Sequence, residues 1–141
     1  MKVVDVNVLV HAVARDSPRH QVARRWLDGA LVGRDPVGFA WIVVVGFLRL
    51  MTHPGLPRSP VPLEAAVNLM RDWLATDAAV AIEPTPRHLD VLSGLLLEVG
   101  IGGNLVNDAH LAALAVEHDA TVVSFDHDFG RFRGLRWQEP S

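Results

Sequence analysis

At 141 residues the chain fits one folded domain rather than two, and half of it is hydrophobic, yet no apolar run approaches the roughly 18 to 20 residues of a membrane span. Cysteine is absent, which excludes disulfides and thiolate zinc sites and fits a reducing compartment. The net charge of -3 argues against a protein that holds nucleic acid by overall positive charge.

Met1-Lys2 leads straight into strand-like residues, without the basic, apolar and small-residue segments of a signal peptide, so a cytoplasmic protein is expected. Val3-Val4 reads as a short buried strand ending at Asp5, and Val8 to Val13 as a short helix. Ser17-Pro18 has the form of a helix start, a capping residue before proline at the first helical position. The helix expected from there to about Ala30 has Val22, Ala23, Trp26, Leu27 and Ala30 on one face and Arg24, Arg25 and Asp28 on the other. Val37 to Ala40 suits a second strand. Trp41 to Met51 is apolar nearly all round and reads as a buried helix, stopped by His53-Pro54-Gly55.

Pro57 to Pro62 is a proline-rich loop, and Leu63 to Leu74 places Ala66, Leu69, Met70 and Trp73 at helical spacing. Val80 to Ile82 reads as a strand, Arg87 to Val99 as a helix and Gly100 to Leu105 as a glycine-rich loop. Asn107 to about Glu117 is a further buried helix, Thr121 to Ser124 a β-branched central strand, and Leu135 to Trp137 a last strand. Strands alternating with helices predict a mostly parallel central sheet flanked by helices, an α/β/α domain spanning 1–141.

In open parallel sheets ligands bind beyond the carboxyl ends of the strands. Asp5 and Asp126 each follow a strand, and Asp108 lies in the first turn of a buried helix that reaches the same edge. Carboxylates packed together stay ionised only with positive charge among them. Mg2+ or Mn2+ suits an all-oxygen set, and such an ion activates water and stabilises a leaving oxygen of a phosphodiester. Each aspartate also has a simpler use: Asp108 complementing its helix dipole, Asp126 starting the Asp126-His127-Asp128 turn, Asp5 ending a strand. The histidines show no paired zinc spacing and are read as surface or loop residues. Arg131, Arg133 and Arg136 form a basic stretch suited to RNA, to an acidic protein tail, or simply to solvent.

The segments Val4-Asp5-Val6-Asn7-Val8-Leu9, Asn107 to Ala115, Thr121 to Phe129, and Phe47-Leu48-Arg49-Leu50 with Thr52-His53-Pro54 resemble, in order and spacing, the PIN-domain family and its VapC-type toxins of VapBC toxin–antitoxin pairs. The resemblance implies a PIN-like fold and a Mg2+- or Mn2+-dependent endoribonuclease with Asp5, Asp108 and Asp126 as catalytic, metal-binding residues. It also implies a homodimer and a cognate antitoxin that blocks the site. Asn7, Arg49 and Asp128 stand next to that set, as neighbours of the metal ligands or contacts for substrate. Arg49 suits either a substrate phosphate or an aspartate of the cluster, and Asp128 either an outer ligand or a surface turn.

One position departs from the family: the glutamate usual in the middle helix is Gly46. Glycine inside a helix costs roughly 0.5 to 1 kcal/mol relative to alanine, so it asks for a reason. Close packing is the favoured one, and a metal site short of one carboxylate is the other. The second reading supports a catalytically silent module that only binds RNA or an antitoxin. Receiver domains and haloacid-dehalogenase-like phosphatases also carry an early aspartate, but both use a later lysine, and Lys2 is the only lysine here.

Overall fold

The computed structural model describes residues 1–53, 61–100 and 102–141. In chain order the elements are β1 (Lys2–Val4), α1 (Val6–Val13), α2 (His20–Leu31), β2 (Val37–Ala40), α3 (Trp41–Thr52), α4 (Leu63–Leu74), β3 (Ala79–Ile82), α5 (His88–Val99), α6 (Leu105–Glu117), β4 (Thr121–Val123), a short 3₁₀ turn His127–Arg131, and β5 (Arg136–Gln138). The strand order is β3-β2-β1-β4-β5, and every neighbouring pair is parallel. Val3 aligns with Gly38 on one side and Val122 on the other. A side chain at Gly38 would sit 3.3 Å from Met1, Val3 and Ile82, so glycine lets the sheet close there.

The connections out of β1 and β2 step one way across the sheet, and the connection out of β3 steps back. Right-handed crossovers therefore lay α1 to α4 on one face and α5 and α6 on the other. Val3, Val4, Val122 and Val123 are fully buried between the layers, as strands covered on both faces must be. Phe39, Phe47 and Phe129 fill the space between them. The chain leaves β1 toward β2 and returns beside it as β4. That reversal makes the carboxyl edge of β1 and β4 the switch point of the sheet, where α/β folds bind ligands.

Most predicted elements appear within a residue or two of their expected limits. The Ser17-Pro18 helix start does not: α2 begins at His20, and its flanking residue Arg19 makes no side-chain cap. The Ser17 hydroxyl instead accepts from Arg19 N at 3.1 Å and meets His11 Nδ1 at 2.6 Å, which closes the turn between α1 and α2. Helix α3 is not buried all round, since Trp41 and Val45 are 49% and 61% exposed. Positions 54–60, which include the expected Pro54-Gly55 stop and most of the proline-rich loop, lie outside the described residues, as does Ile101. Helix α5 ends at Gly100, whose φ of 74° and N–H bond to Leu96 O make the left-handed stop that glycine supplies without strain.

Candidate active site

Asp5 leaves the end of β1 and caps α1, its Oδ1 accepting from Val6 N at 2.7 Å. Its other oxygen accepts from the Ser124 hydroxyl at 2.6 Å and from Asn7 Nδ2 at 2.8 Å. Ser124, fully buried at the end of β4, also accepts from Asn7 Nδ2 and from Asp126 N, both at 2.9 Å. The Asn7 carbonyl oxygen takes Phe125 N at 3.2 Å. One polar lattice thus ties the β1–α1 junction to the β4 exit, and it fixes Asp5 against the neighbouring strand. Ser124 was not singled out in the sequence. The only hint there was a polar residue closing an apolar strand just before Asp126.

Asp108 stands in the first turn of α6. Asp126 and Asp128 open the 3₁₀ turn, with Asp126 Oδ1 accepting from Asp128 N at 2.9 Å. Carboxylate oxygens of Asp108, Asp126 and Asp128 all lie within 4.8 Å of one another. Among the described residues this is the one group of three or more that could hold a metal ion. Asp128, given two readings above, therefore stands inside the cluster. Asp5 is not one of this trio, but it lines a cleft with Asp108, and its charge is felt by Asp108.

The electrostatics show mutual strain. Burial first, then the negative charges of Asp126, Asp5 and Asp128, push Asp108 up from 3.8 to about 6. Burial also raises Asp5; the bonds from Ser124 and Val6 oppose that rise, and repulsion from Asp126 adds to it. A cation among these oxygens removes the repulsion, and an all-oxygen set suits Mg2+ or Mn2+. The donors present therefore fit such an ion.

Two clefts flank the carboxylates. One, of about 240 Å³, is lined by Asp5, Gly46, Arg49, Asn107 and Asp108. The other, of about 440 Å³, is lined by Asn7, Arg19, Phe125, Asp126 and His127. A third, of about 420 Å³, opens near Lys2 and Val37 at the opposite edge of the sheet, and none of Asp5, Asp108, Asp126 and Asp128 lines it. Gly46 is not held by close packing: among the described residues a Cβ there would meet only Val6, at 3.4 and 3.9 Å, which is ordinary contact. Arg49 is exposed on the same cleft and forms no ion pair among the described residues, so it does not neutralise the cluster.

The three C-terminal arginines named from sequence each face a carboxylate, and one of those partners, Asp128, belongs to the cluster. Arg131, Arg133 and Arg136 face Asp128, Glu98 and Asp119 at 3.8, 3.7 and 2.7 Å. The histidines are not all surface residues as expected. His88 and His110 pack edge to face between α5 and α6, His88 Nδ1 donates to Glu117 at 2.5 Å, and the two rings share a 2.8 Å hydrogen bond.

Comparison with known proteins follows the same lines. The PIN domain family matches residues 2–135. "Ribonuclease VapC37" of Mycobacterium tuberculosis (strain ATCC 25618 / H37Rv) is 57% identical over 140 residues, covering 99% of this chain and 97% of that protein. "Ribonuclease VapC25" of the same strain is 39% identical, covering 99% of each. Among solved structures, VapBC2 from Rickettsia felis bound to a promoter DNA fragment superposes with a TM-score of 0.75 at 17% identity, over 99% of this chain and 98% of that one. Mycobacterium tuberculosis VapC20, described as a sarcin-ricin loop cleaving toxin, gives 0.70 at 18% identity, over 96% and 99%. At those identities the structural matches speak to the fold alone.

Proposed function

The chain belongs to the PIN-domain family, among its VapC-type ribonucleases, and from that premise we propose that it is the endoribonuclease toxin of a toxin–antitoxin pair, with a Mg2+ or Mn2+ ion held at the carboxylate cluster. The observation that carries this reading is the convergence of Asp108, Asp126 and Asp128, whose carboxylate oxygens lie within 4.8 Å of one another at the switch point of the sheet, with burial and the neighbouring charges raising Asp108 to about 6. Asp5, Asp108 and Asp126 are the proposed ligands, and Asp128 is near enough to Asp108 and Asp126 to share the ion.

A bound cation at this position supplies Lewis-acid stabilisation of the phosphodiester and lowers the pKa of a water. The chain's own residues do the positioning. Ser124 and Asn7 clamp one oxygen of Asp5 and Val6 N the other, so its carboxylate cannot swing away from the cluster. Asp126 is held by its bond from Asp128 N. Arg49, exposed beside Asp5 and Asp108 and without an ion pair among the described residues, offers its planar fork to a substrate phosphate.

The proposed partners are an RNA substrate, a cognate antitoxin and a second copy of the chain, and the proposed site of action is the cytoplasm. No described helix is long and apolar enough to cross a membrane. A second reading, a silent module that binds RNA or antitoxin without cutting, is favoured by Gly46, which leaves the α3 side of the cluster without a carboxylate. Incubating the purified protein with structured RNAs, with Mg2+, with Mn2+ and with chelator, separates the two. Metal-dependent cleavage that disappears in Asp5→Asn and Asp108→Asn is the expected result. Absence of cleavage of any RNA under all metal conditions decides for the silent module.

A further inference from the structure

We propose that Arg19 is a substrate-binding residue, holding the phosphate next to the one that is cut and so fixing the path of the RNA strand across the carboxylate cluster. The inference rests on the ribonuclease reading above. The strand would run from the Arg49 cleft, over Asp108 and Asp126, into the larger cleft beside Asn7 and Asp126.

Arg19 is built into its place. Its guanidinium lies over the Phe125 ring, 4.8 Å from the centroid. Phe125 is itself buried and meets the edge of His11 at 5.4 Å. The backbone beneath is anchored too, with Arg19 N donating to the Ser17 hydroxyl that also meets His11, and with His20 Nδ1 bonded to His11 O at 3.0 Å. A surface arginine held this way loses less freedom on binding than a mobile one.

Its side-chain donors are uncommitted among the described residues. Arg19 forms no ion pair among the described residues, although Asp126 lines the same cleft. Arg131, Arg133 and Arg136, by contrast, each face a carboxylate. The other ionisable side chain of this cleft beside Asp126, His127, is paired with Glu139. The cleft is open to solvent, with about 440 Å³ of space beside Arg19 and Asp126. A cation is also needed there. A cation held by the cluster would compensate the phosphate there, but the next phosphate along would meet the field of Asp126 and Asp128, which a fixed guanidinium would offset.

The test is the binding of a fluorescein-labelled single-stranded RNA, followed by anisotropy immediately after mixing in Mn2+, over a series of salt concentrations. Arg19→Ala is expected to weaken binding about tenfold at low salt. It should also make the slope of log affinity against log salt shallower by about 0.7, the signature of one lost phosphate contact on a single strand. Arg19→Lys should keep the slope and lose part of the affinity, because the charge stays and the fork does not. Mn2+ binding, titrated without RNA, should be unchanged in both. An unaltered slope in Arg19→Ala, with the wild type binding RNA, overturns this inference alone. A wild type that neither binds nor cuts RNA overturns the ribonuclease reading and this inference with it.

Discussion

The Ser124 hydroxyl donates to Asp5 Oδ2 at 2.6 Å, joining residues 119 positions apart, and Ser124 Oγ in turn accepts from Asn7 Nδ2 and from the Asp126 backbone N–H. Ser124→Ala removes an acceptor from two half-buried donors and a donor from a buried carboxylate. The expected cost is about 1 to 3 kcal/mol of stability. Burial already raises Asp5 and the Ser124 bond opposes that rise, so the variant's Asp5 titrates higher still. Its Mn2+ affinity should therefore drop further below wild type as pH is lowered. Urea unfolding and Mn2+ titrations at several pH values measure both effects, and a pH-independent deficit would argue against a role through Asp5.

Asp108 should destabilise the fold it serves. Its folded pKa, about 6, lies above its ordinary 3.8. The folded state thus binds the proton more tightly, and the contribution to stability is present below about 3.8 and lost as pH rises through 6. At neutral pH the metal-free protein carries that loss, and Asp108→Asn should raise its melting temperature by about 3 °C, roughly 1 kcal/mol once solvent screening is allowed for. The gain should fade as the pH approaches 4 and protonation does the same work. Adding Mn2+ should raise the melting temperature of wild type and leave Asp108→Asn nearly unmoved. Metal affinity of the wild type should weaken below pH 6, where protons compete for Asp108.

The strands and the three aspartates were legible because each carries its signal locally. Val37 to Ala40 is a buried run with the length of a strand, and Asp5, Asp108 and Asp126 interrupt apolar segments at their ends. What escaped depended on contacts distant in sequence or on competition between local motifs. Ser17-Pro18 looks like a helix cap, but its hydroxyl is taken by His11 and by the Arg19 N–H, and the helix starts later. The pairing of His88 with Glu117 spans 29 residues, and no spacing rule announces it. The exposed side of α3 was hidden by its composition, since Trp41 and Val45 are as apolar as the residues that pack inward.

Glu117 is expected to hold α5 to α6. Its side chain is only 1% exposed and accepts from Thr85 N, Thr85 Oγ1 and His88 Nδ1. Burial pushes its pKa up, but those bonds outweigh it and hold it below the ordinary 4.5. A depressed carboxylate stabilises above its unfolded value and loses that contribution as pH falls through the folded one. Glu117→Gln sets an amide N–H against the His88 donor and should cost about 1 to 3 kcal/mol at neutral pH. The gap between variant and wild type should narrow below pH 4.5. Denaturation curves at pH 7 and pH 4 check this, and RNA cleavage well below the melting temperature should persist, because Glu117 does not line either cleft beside the carboxylates.

Gly46 separates packing from chemistry most directly. Among the described residues a Cβ at this position meets only Val6, at ordinary contact distance, so Gly46→Ala should be accommodated and should stabilise the protein by about 0.5 to 1 kcal/mol through helix propensity. A glycine that can be improved in this way is not retained for packing. Gly46→Glu places a carboxylate on the cleft that Asp5 and Asp108 already line. Without metal it should add repulsion and lower the melting temperature. With Mn2+ it should bind the ion more tightly than wild type, and the melting temperature should recover as the ion is added. The contrast between the two substitutions carries the argument. Tighter Mn2+ binding in Gly46→Glu, with none in Gly46→Ala, identifies a vacancy for a ligand on α3. Equal Mn2+ affinity in all three proteins would mean that Asp108, Asp126 and Asp128, together with Asp5, already give the ion all the protein ligands it uses.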